Sequence, residues 1–148
     1  MHCTATQPDA TIEGIRKYWR EELKWKNPGY HYIIKRSGEI VNILSEDQIA
    51  NGLAGNNKHC IHISYIGGLS KDGKGVANRT PAQIHAMFSK LVALSEKYPS
   101  ATILGHRDFS PDKDGDGVIE AFEWVKFCPG FDVREWLKNY TPDFDAAA

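Results

Sequence analysis

Residues 105–130 read GHRDFSPDKDGDGVIEAFEWVKFCPG, and this stretch places two metal-binding patterns one inside the other. The inner run, residues 112–123, matches the twelve-residue calcium loop of an EF-hand at every diagnostic position. The outer residues His106 and Cys128, together with His2, have the chemistry of an open zinc site. The stretch therefore predicts an enzyme in which a calcium loop braces a catalytic zinc ion.

Oxygen ligands recur along the inner run at the spacing that the calcium loop requires. Gly117 supplies the sharp turn at the sixth position, and Pro111 argues against a full helix leading into the loop. The predicted ligands are Asp112, Asp114, Asp116, the carbonyl of Val118, Glu120 through a water, and Glu123. The alternative is an acidic, solvated turn, but carboxylates this close together repel one another without a cation.

The outer residues suit zinc because of their chemical types. A catalytic zinc ion takes about three protein ligands and leaves a fourth position for water. His2, His106 and Cys128 supply two imidazoles and one thiolate. Such an ion lowers the pKa of its water toward ~7 and polarises a carbonyl group. Scattered histidines are more often hydrogen-bonded structural residues, so residue types alone leave both interpretations open.

Length and composition describe an ordinary globular protein. The chain has 148 residues, 41% of them hydrophobic and 25% charged, which predicts one domain with a substantial core. A net charge of −1 gives no reason to expect nucleic acid as a partner. No stretch is apolar enough to span a membrane, no signal peptide opens the chain, and we expect a monomer. Three cysteines cannot form a fully paired disulfide set, which favours a metal thiolate.

Hydrophobic periodicity predicts an alternation of helices and strands. Helical spacing covers residues 11–26, 80–98 and 131–140, the second with Thr80 as N-cap and Pro81 in its first turn. Strand patterns cover residues 30–36, 39–44, 59–66 and 101–104, with a hairpin turn at Ser37 and Gly38. We expect an α/β fold with a central mixed sheet flanked by helices, and fraying of the last residues.

Five short motifs occur in an order that identifies a family. They read HCTAT at residues 2–6, GYHYIIKR at 29–36, TPAQ at 80–83, HRD at 106–108 and KFCPGFD at 126–132. Together they resemble the zinc-dependent N-acetylmuramoyl-L-alanine amidases of the phage-lysozyme type, with peptidoglycan recognition proteins as more distant relatives. The motifs span nearly the whole chain, which implies one amidase domain over residues 1–148. Residues 112–123 are then a calcium-loop insertion relative to the shortest members.

The resemblance implies a role for each matching residue. His2, His106 and Cys128 would bind zinc, Tyr30 would lie beside the metal-bound water, and Lys126 would stabilise the developing oxyanion. A phenol or cation aimed at an alkoxide contributes most in a water-poor cleft. The alternatives are a core aromatic at Tyr30 and a solvated surface cation at Lys126.

The implied reaction is hydrolysis of the amide joining N-acetylmuramic acid to L-alanine in peptidoglycan. One alternative is a peptidoglycan-binding module without activity, but such members tend to lose the thiolate ligand that Cys128 provides. Another is a calcium-controlled interaction protein, which would bind calcium without zinc. We expect action on the bacterial cell wall, as a phage endolysin, or as a secreted enzyme if the true start lies upstream.

Two departures from the family pattern lead to further expectations. Only Met1 precedes His2, where the family has an apolar strand, so fraying of the terminus predicts loose ligand geometry at His2. The family loop that often carries an extra histidine reads GLAGNN at residues 52–57 and has none. Substrate contacts from that loop are therefore not expected to follow the family pattern.

Overall fold

A computed structural model describes residues 1–140 and folds them into one four-stranded sheet with helices on both faces. The expected fraying of the last residues concerns positions outside this range. The elements in chain order are β1 (His2–Cys3), α1 (Ile12–Glu21), β2 (Tyr32–Ile34), β3 (Ile40–Asn42), β4 (Ile63–Tyr65), α2 (Pro81–Lys97) and α3 (Val133–Asn139). Short 3₁₀ turns lie at Asn57–His59, His106–Phe109 and Ala121–Glu123.

The sheet mixes parallel and antiparallel pairs, as predicted. Its strand order is β1-β4-β2-β3, with β4 parallel to both β1 and β2, and β3 antiparallel to β2. The register places His2 opposite Ser64, and Ser64 opposite Ile33. Residue 2 is therefore set beside the middle of β4 by backbone pairing.

Strand alternation divides the apolar residues between the two faces of the sheet. On one face, Ile33 and Ile66 pack with Ile15 and Trp19 of α1. The other face is covered by α2, and its buried members include Tyr32, Ile34, Ile63, Tyr65, Ala86, Met87 and Leu91. Each face of the sheet thus has its own apolar cluster beneath a helix, which confirms the predicted α/β class.

Helix α1 begins as predicted but ends earlier, at Glu21 instead of near residue 26. Thr11 caps its start by accepting a hydrogen bond from Gly14. After the helix, Lys24 adopts a left-handed φ of 56°, which turns the chain back. Trp25 can then stack on Trp19, with ring centroids 6.5 Å apart. Aromatic packing across the turn replaces the last predicted turn of helix.

Helix α2 matches its predicted bounds, and Gln83 in its first turn joins it to the sheet. The Gln83 side chain is fully buried and donates from Nε2 to the carbonyls of Ile34, at 3.1 Å, and Ile66, at 3.0 Å. Its Oε1 accepts from the Thr80 backbone at 3.0 Å, while Thr80 Oγ1 accepts from the Gln83 backbone, completing a capping box. At 17 residues α2 is the longest described helix, and no helix within residues 1–140 has the length and hydropathy to cross a membrane.

Replacing Gln83 with leucine is expected to lower the free energy of unfolding by about 3 kcal/mol. The change removes the side-chain donor from the Ile66 carbonyl and one of two donors from the Ile34 carbonyl, and it removes the side-chain half of the capping box. Urea denaturation measures the loss, with Gln48→Leu as control because that side chain is exposed. A loss below ~0.5 kcal/mol, the usual range for surface substitutions, would contradict this role.

Candidate metal centre and active site

The start of the chain is held in place by the segment that leads to His106. The Met1 amino group donates to the Leu104 carbonyl at 2.7 Å, and the His106 backbone donates to the Met1 carbonyl at 3.0 Å. Residues 101–104 therefore lie beside β1, but the prediction of a strand there is wrong, because they form no regular ladder with it. His2 is only 3% exposed. The expectation of loose geometry at His2 is wrong, because these contacts fix the terminus.

Two imidazoles and a thiol converge beside β1. His2 Nδ1 lies 3.2 Å from His106 Nδ1 and 3.8 Å from Cys128 Sγ. The ligand atoms of all three residues lie within 4.8 Å of one another. The structure thus brings together the three residues that the sequence analysis assigned to zinc.

The spacing of these atoms can be compared with a tetrahedral zinc site. Zn–N bonds of about 2.05 Å and a Zn–S bond of about 2.3 Å place the two nitrogens about 3.3 Å apart and each nitrogen about 3.6 Å from the sulfur. The observed N···N separation of 3.2 Å and N···S separation of 3.8 Å fit this geometry. Three ligands of these types also leave one tetrahedral position open.

The environment of the Cys128 thiol favours a thiolate only when a cation is near. The neighbouring Cys3 thiol, together with burial, raises the pKa of Cys128 well above its usual range. A bound divalent cation reverses this preference, because metal coordination deprotonates a thiol. The Cys3 backbone N–H donates to Cys128 Sγ at 3.2 Å, a contact that stabilises negative charge on sulfur.

The imidazoles are uncharged at neutral pH, as metal ligands must be. Burial, followed by the positive charge of the amino terminus, lowers the pKa of His2 well below its usual value. The same causes, with the charge of Lys126 as a further contribution, lower the pKa of His106 to about 4. Both rings therefore offer lone pairs to a cation without first losing a proton.

Tyr30 lies against the metal cluster. Its ring centroid is 5.1 Å from that of His2, and its hydroxyl donates to the Cys3 carbonyl at 3.2 Å. Trp19 packs edge-on against the Tyr30 ring at 5.4 Å. Burial, and then nearby Cys128, raise the pKa of Tyr30, so the phenol stays protonated and acts as a hydrogen-bond donor.

The Lys126 side chain is exposed, and its positive charge is one of the causes that lower the pKa of His106. The two segments that carry His106 and Cys128 are joined directly, because the Arg107 backbone donates to the Cys128 carbonyl at 2.9 Å. Arg107 also reaches Asp132 at 3.4 Å and lies 4.1 Å above the Trp124 ring. These contacts position the chain on both sides of Lys126.

The predicted calcium ligands form two overlapping groups of carboxylates. Asp112, Asp114 and Glu123 make one group, and Asp114, Asp116 and Glu120 make the other, each with oxygens within 4.8 Å. The loop is also closed by backbone N–H groups. Asp112 accepts from Gly115 at 2.6 Å and Gly117 at 2.8 Å, and the buried Glu123 accepts from Lys113 and Glu120.

One residue beside the centre was not assigned a functional role from the sequence. His62, just before β4, is 2% exposed, and its Nδ1 lies 2.9 Å from His2 Nε2. No local pattern in the sequence indicates that the partner of His62 is His2. Only the parallel register of β1 and β4 brings the two rings together.

Two members of the metal cluster, His2 and His106, border a cavity of about 450 Å³. His2, His62 and His106 line it on one side, and apolar side chains that include Leu53, Ile103 and Phe109 also line it. The cluster is therefore reachable from a concave surface, as expected of a site that acts on a ligand.

Comparison with known proteins agrees with this geometry. The sequence profile of the family described as N-acetylmuramoyl-L-alanine amidase matches residues 1–129. The endolysin of Escherichia phage T7 is 34% identical over 141 residues, covering 94% of this chain and 83% of the phage protein.

Solved structures share the fold. The amidase LysC from Clostridium intestinale superposes with a TM-score of 0.69 at 21% identity, over 93% of this chain and 78% of that one. The Drosophila peptidoglycan recognition protein SD superposes with a TM-score of 0.67 at 17% identity, over 94% and 77%. The profile match and the phage relative, each spanning most of the chain, show that this chain belongs to the N-acetylmuramoyl-L-alanine amidase family.

Proposed function

We propose that this amidase holds one zinc ion through His2 Nδ1, His106 Nδ1 and Cys128 Sγ. The observation that carries the proposal is the convergence of these atoms at separations that suit tetrahedral zinc. A zinc ion in such a site acidifies a water and polarises the carbonyl that the water attacks. The Cys3 backbone amide supports the thiolate from the side of β1.

The protein hydrolyses the amide bond between N-acetylmuramic acid and L-alanine in peptidoglycan, which breaks down the cell wall. In our proposal, the Tyr30 phenol oxygen orients the attacking water by accepting a hydrogen bond from it, while its own O–H donates to the Cys3 carbonyl. Lys126 holds the developing oxyanion. The position of Tyr30 against His2 supports the first role. The match of Lys126 to the KFCPGFD motif and the effect of its charge on the pKa of His106 support the second.

Cys128 favours the enzyme over the module that only binds peptidoglycan. A binding surface needs no thiolate, whereas here the thiol lies 3.8 Å from His2 Nδ1 with a backbone donor directed at it. The third alternative, a calcium-controlled interaction protein without zinc, does not account for this convergence.

Digestion of purified peptidoglycan tests the bond that is cleaved. We expect release of stem peptides with free L-alanine amino termini while the glycan strands stay intact, because the site has the ligands for amide hydrolysis. Mass spectrometry of the soluble products distinguishes the possible bonds. New reducing sugar ends would identify a glycosidase and contradict the proposal.

We further propose that residues 112–123 bind one calcium ion. The match of the sequence to the calcium loop and the two overlapping carboxylate groups support this proposal. Each carboxylate oxygen of Glu123 accepts one backbone hydrogen bond and has a second lone pair for a cation. The proposed ligands remain Asp112, Asp114, Asp116, the Val118 carbonyl, Glu120 and Glu123.

Calcium is expected to stabilise the folded protein, because it would bind a loop that forms only on folding. At a hundredfold excess over the dissociation constant the gain is roughly 2.7 kcal/mol, which corresponds to about 5 °C or more in melting temperature for a chain of this size. Asp116→Asn and Glu123→Gln should abolish the gain, whereas Asp47→Asn, an exposed carboxylate outside the loop, should keep it.

Calorimetric titration of calcium into zinc-loaded protein provides the direct measurement. Heat of binding in wild type that disappears in Glu123→Gln supports the site. No binding to wild type would make this stretch an acidic surface turn, and the zinc proposal would be unaffected.

A further inference from the structure

We propose that His62 is a positioning residue that fixes the tautomer and orientation of His2 as a metal ligand. The inference rests on the proposed zinc centre and extends it to a side chain that is not one of the three proposed ligands. It starts from the 2.9 Å contact between His62 Nδ1 and His2 Nε2, two buried ring nitrogens on neighbouring strands.

The protonation of His2 follows from the direction in which each of its nitrogens points. His2 Nδ1 faces His106 and Cys128, so it must carry a lone pair to bind a cation there. The proton of the neutral ring then lies on Nε2, which donates to His62 Nδ1. His62 therefore accepts at Nδ1 and carries its own proton on Nε2.

The ring of His62 is held in place on two sides, by His31 and by the backbone at Gly52. Its backbone N–H donates to His31 Nδ1 at 2.9 Å, and the His31 and His62 rings stack with centroids 5.9 Å apart. His31 Nε2 contacts the Gln48 carbonyl at 2.9 Å, which makes that nitrogen the donor. On another side, a Cβ at Gly52 would lie 2.7 Å from His62 Cγ and Nδ1, so the backbone approaches the ring closely.

These contacts connect the loop that contains Gln48 and Gly52 to the metal centre. The loop fixes His31 and His62, and His62 fixes the His2 ring. A ligating histidine usually donates its second N–H to a carboxylate, a carbonyl or water. Here the acceptor is a neutral imidazole, which orients His2 without adding negative charge beside the cluster. A zinc ion held by His2, His106 and Cys128 would then carry the net charge that one thiolate and two neutral imidazoles leave, which favours polarisation of a carbonyl.

The first test measures zinc affinity by competition with a chromophoric chelator. Loss of the group that accepts a hydrogen bond from a metal-binding histidine typically lowers metal affinity 10–100-fold. We expect a loss in that range for His62→Leu. Glutamine can present an acceptor oxygen near the same place, so His62→Gln should stay within a few-fold of wild type. His85→Gln removes a histidine from α2, away from the cluster, and should leave affinity unchanged.

The second test uses wild-type protein and does not depend on the folding of a variant. In zinc-loaded protein with ¹⁵N-labelled histidine, NMR should show the His2 proton on Nε2 and a coupling across the hydrogen bond to His62 Nδ1. A proton on His62 Nδ1 would overturn the inference, because that nitrogen could not accept.

The outcomes separate this inference from the proposal on which it rests. Wild-type protein that binds no zinc would overturn the zinc centre and this inference with it. Equal zinc affinity in wild type and His62→Leu overturns the inference alone. An equal loss in His62→Gln and His62→Leu does the same, because the acceptor would then not be what matters.

Discussion

Replacing Cys128 with serine is expected to abolish zinc binding and amidase activity together. Two imidazoles remain, but the only anionic ligand of the proposed set is lost, and a serine hydroxyl stays neutral in its place. A catalytic metal contributes several kcal/mol to transition-state stabilisation, and each 1.36 kcal/mol is tenfold in rate. Activity should therefore fall by about 10³-fold or more. The melting temperature should fall as well, because zinc bound to the folded state stabilises it.

Metal analysis and turnover of muropeptide substrate measure the two losses side by side. Cys60→Ser is the matched control, because it removes a thiol that lines the same cavity but does not belong to the ligand group. This control should keep one zinc per chain and wild-type turnover. Full activity of Cys128→Ser without bound zinc would refute the assignment, as would unchanged zinc content in that variant.

Helix α2 could be predicted from the sequence because its signals are local. Thr80 as cap, Pro81 in the first turn and regular apolar spacing all lie within the helix itself. The end of α1 was mispredicted because it depends on Trp25 packing against Trp19 after a left-handed residue at Lys24. No spacing rule contains that tertiary contact. The strands are shorter than predicted because only their central residues pair.

In the candidate site, too, local motifs predict some features, and others depend on tertiary contacts. The three proposed zinc ligands could be named because their residue types lie in recognisable motifs. The groups that hold these ligands in place could not be predicted, because they are backbone atoms and side chains that only the strand register brings near. The Cys3 amide that contacts Cys128 and the Met1 bonds that hold His2 join residues more than 100 positions apart. His62 reaches His2 only through the pairing of β1 with β4.

The expectation of a loose terminus failed for a physical reason of the same kind. Chain ends fray when few contacts hold them. Here the Met1 amino group donates to the Leu104 carbonyl and the Met1 carbonyl accepts from the His106 backbone, so the end of the chain becomes part of the sheet edge. The expectation rested on the position of His2 near the chain end. The backbone hydrogen bonds of Met1 outweigh that position and keep the terminus ordered.

Lys126→Ala is expected to lower kcat by on the order of 10²-fold or more while zinc content stays at the wild-type level. The exposed side chain contributes no ligand to the proposed centre, so its loss should not release the metal. Its positive charge contributes to the lowered pKa of His106, and in our proposal the same charge stabilises the developing oxyanion. Removing one donor from an oxyanion site typically costs a factor of this size.

Tyr30→Phe tests the role of the Tyr30 hydroxyl separately from that of the Lys126 ammonium group. It keeps the ring that packs on His2 and Trp19 and removes only the hydroxyl, so the fold and zinc content should be preserved.

Lys126→Arg should recover part of the turnover that Lys126→Ala loses, because it restores a cation, whereas Lys138→Ala on the exposed side of α3 should change nothing. Turnover should fall in Tyr30→Phe and Lys126→Ala with little change in KM, since both groups act mainly on the transition state. Wild-type kcat in either variant would remove that residue from the mechanism, while zinc lost together with activity would make it a structural support of the centre.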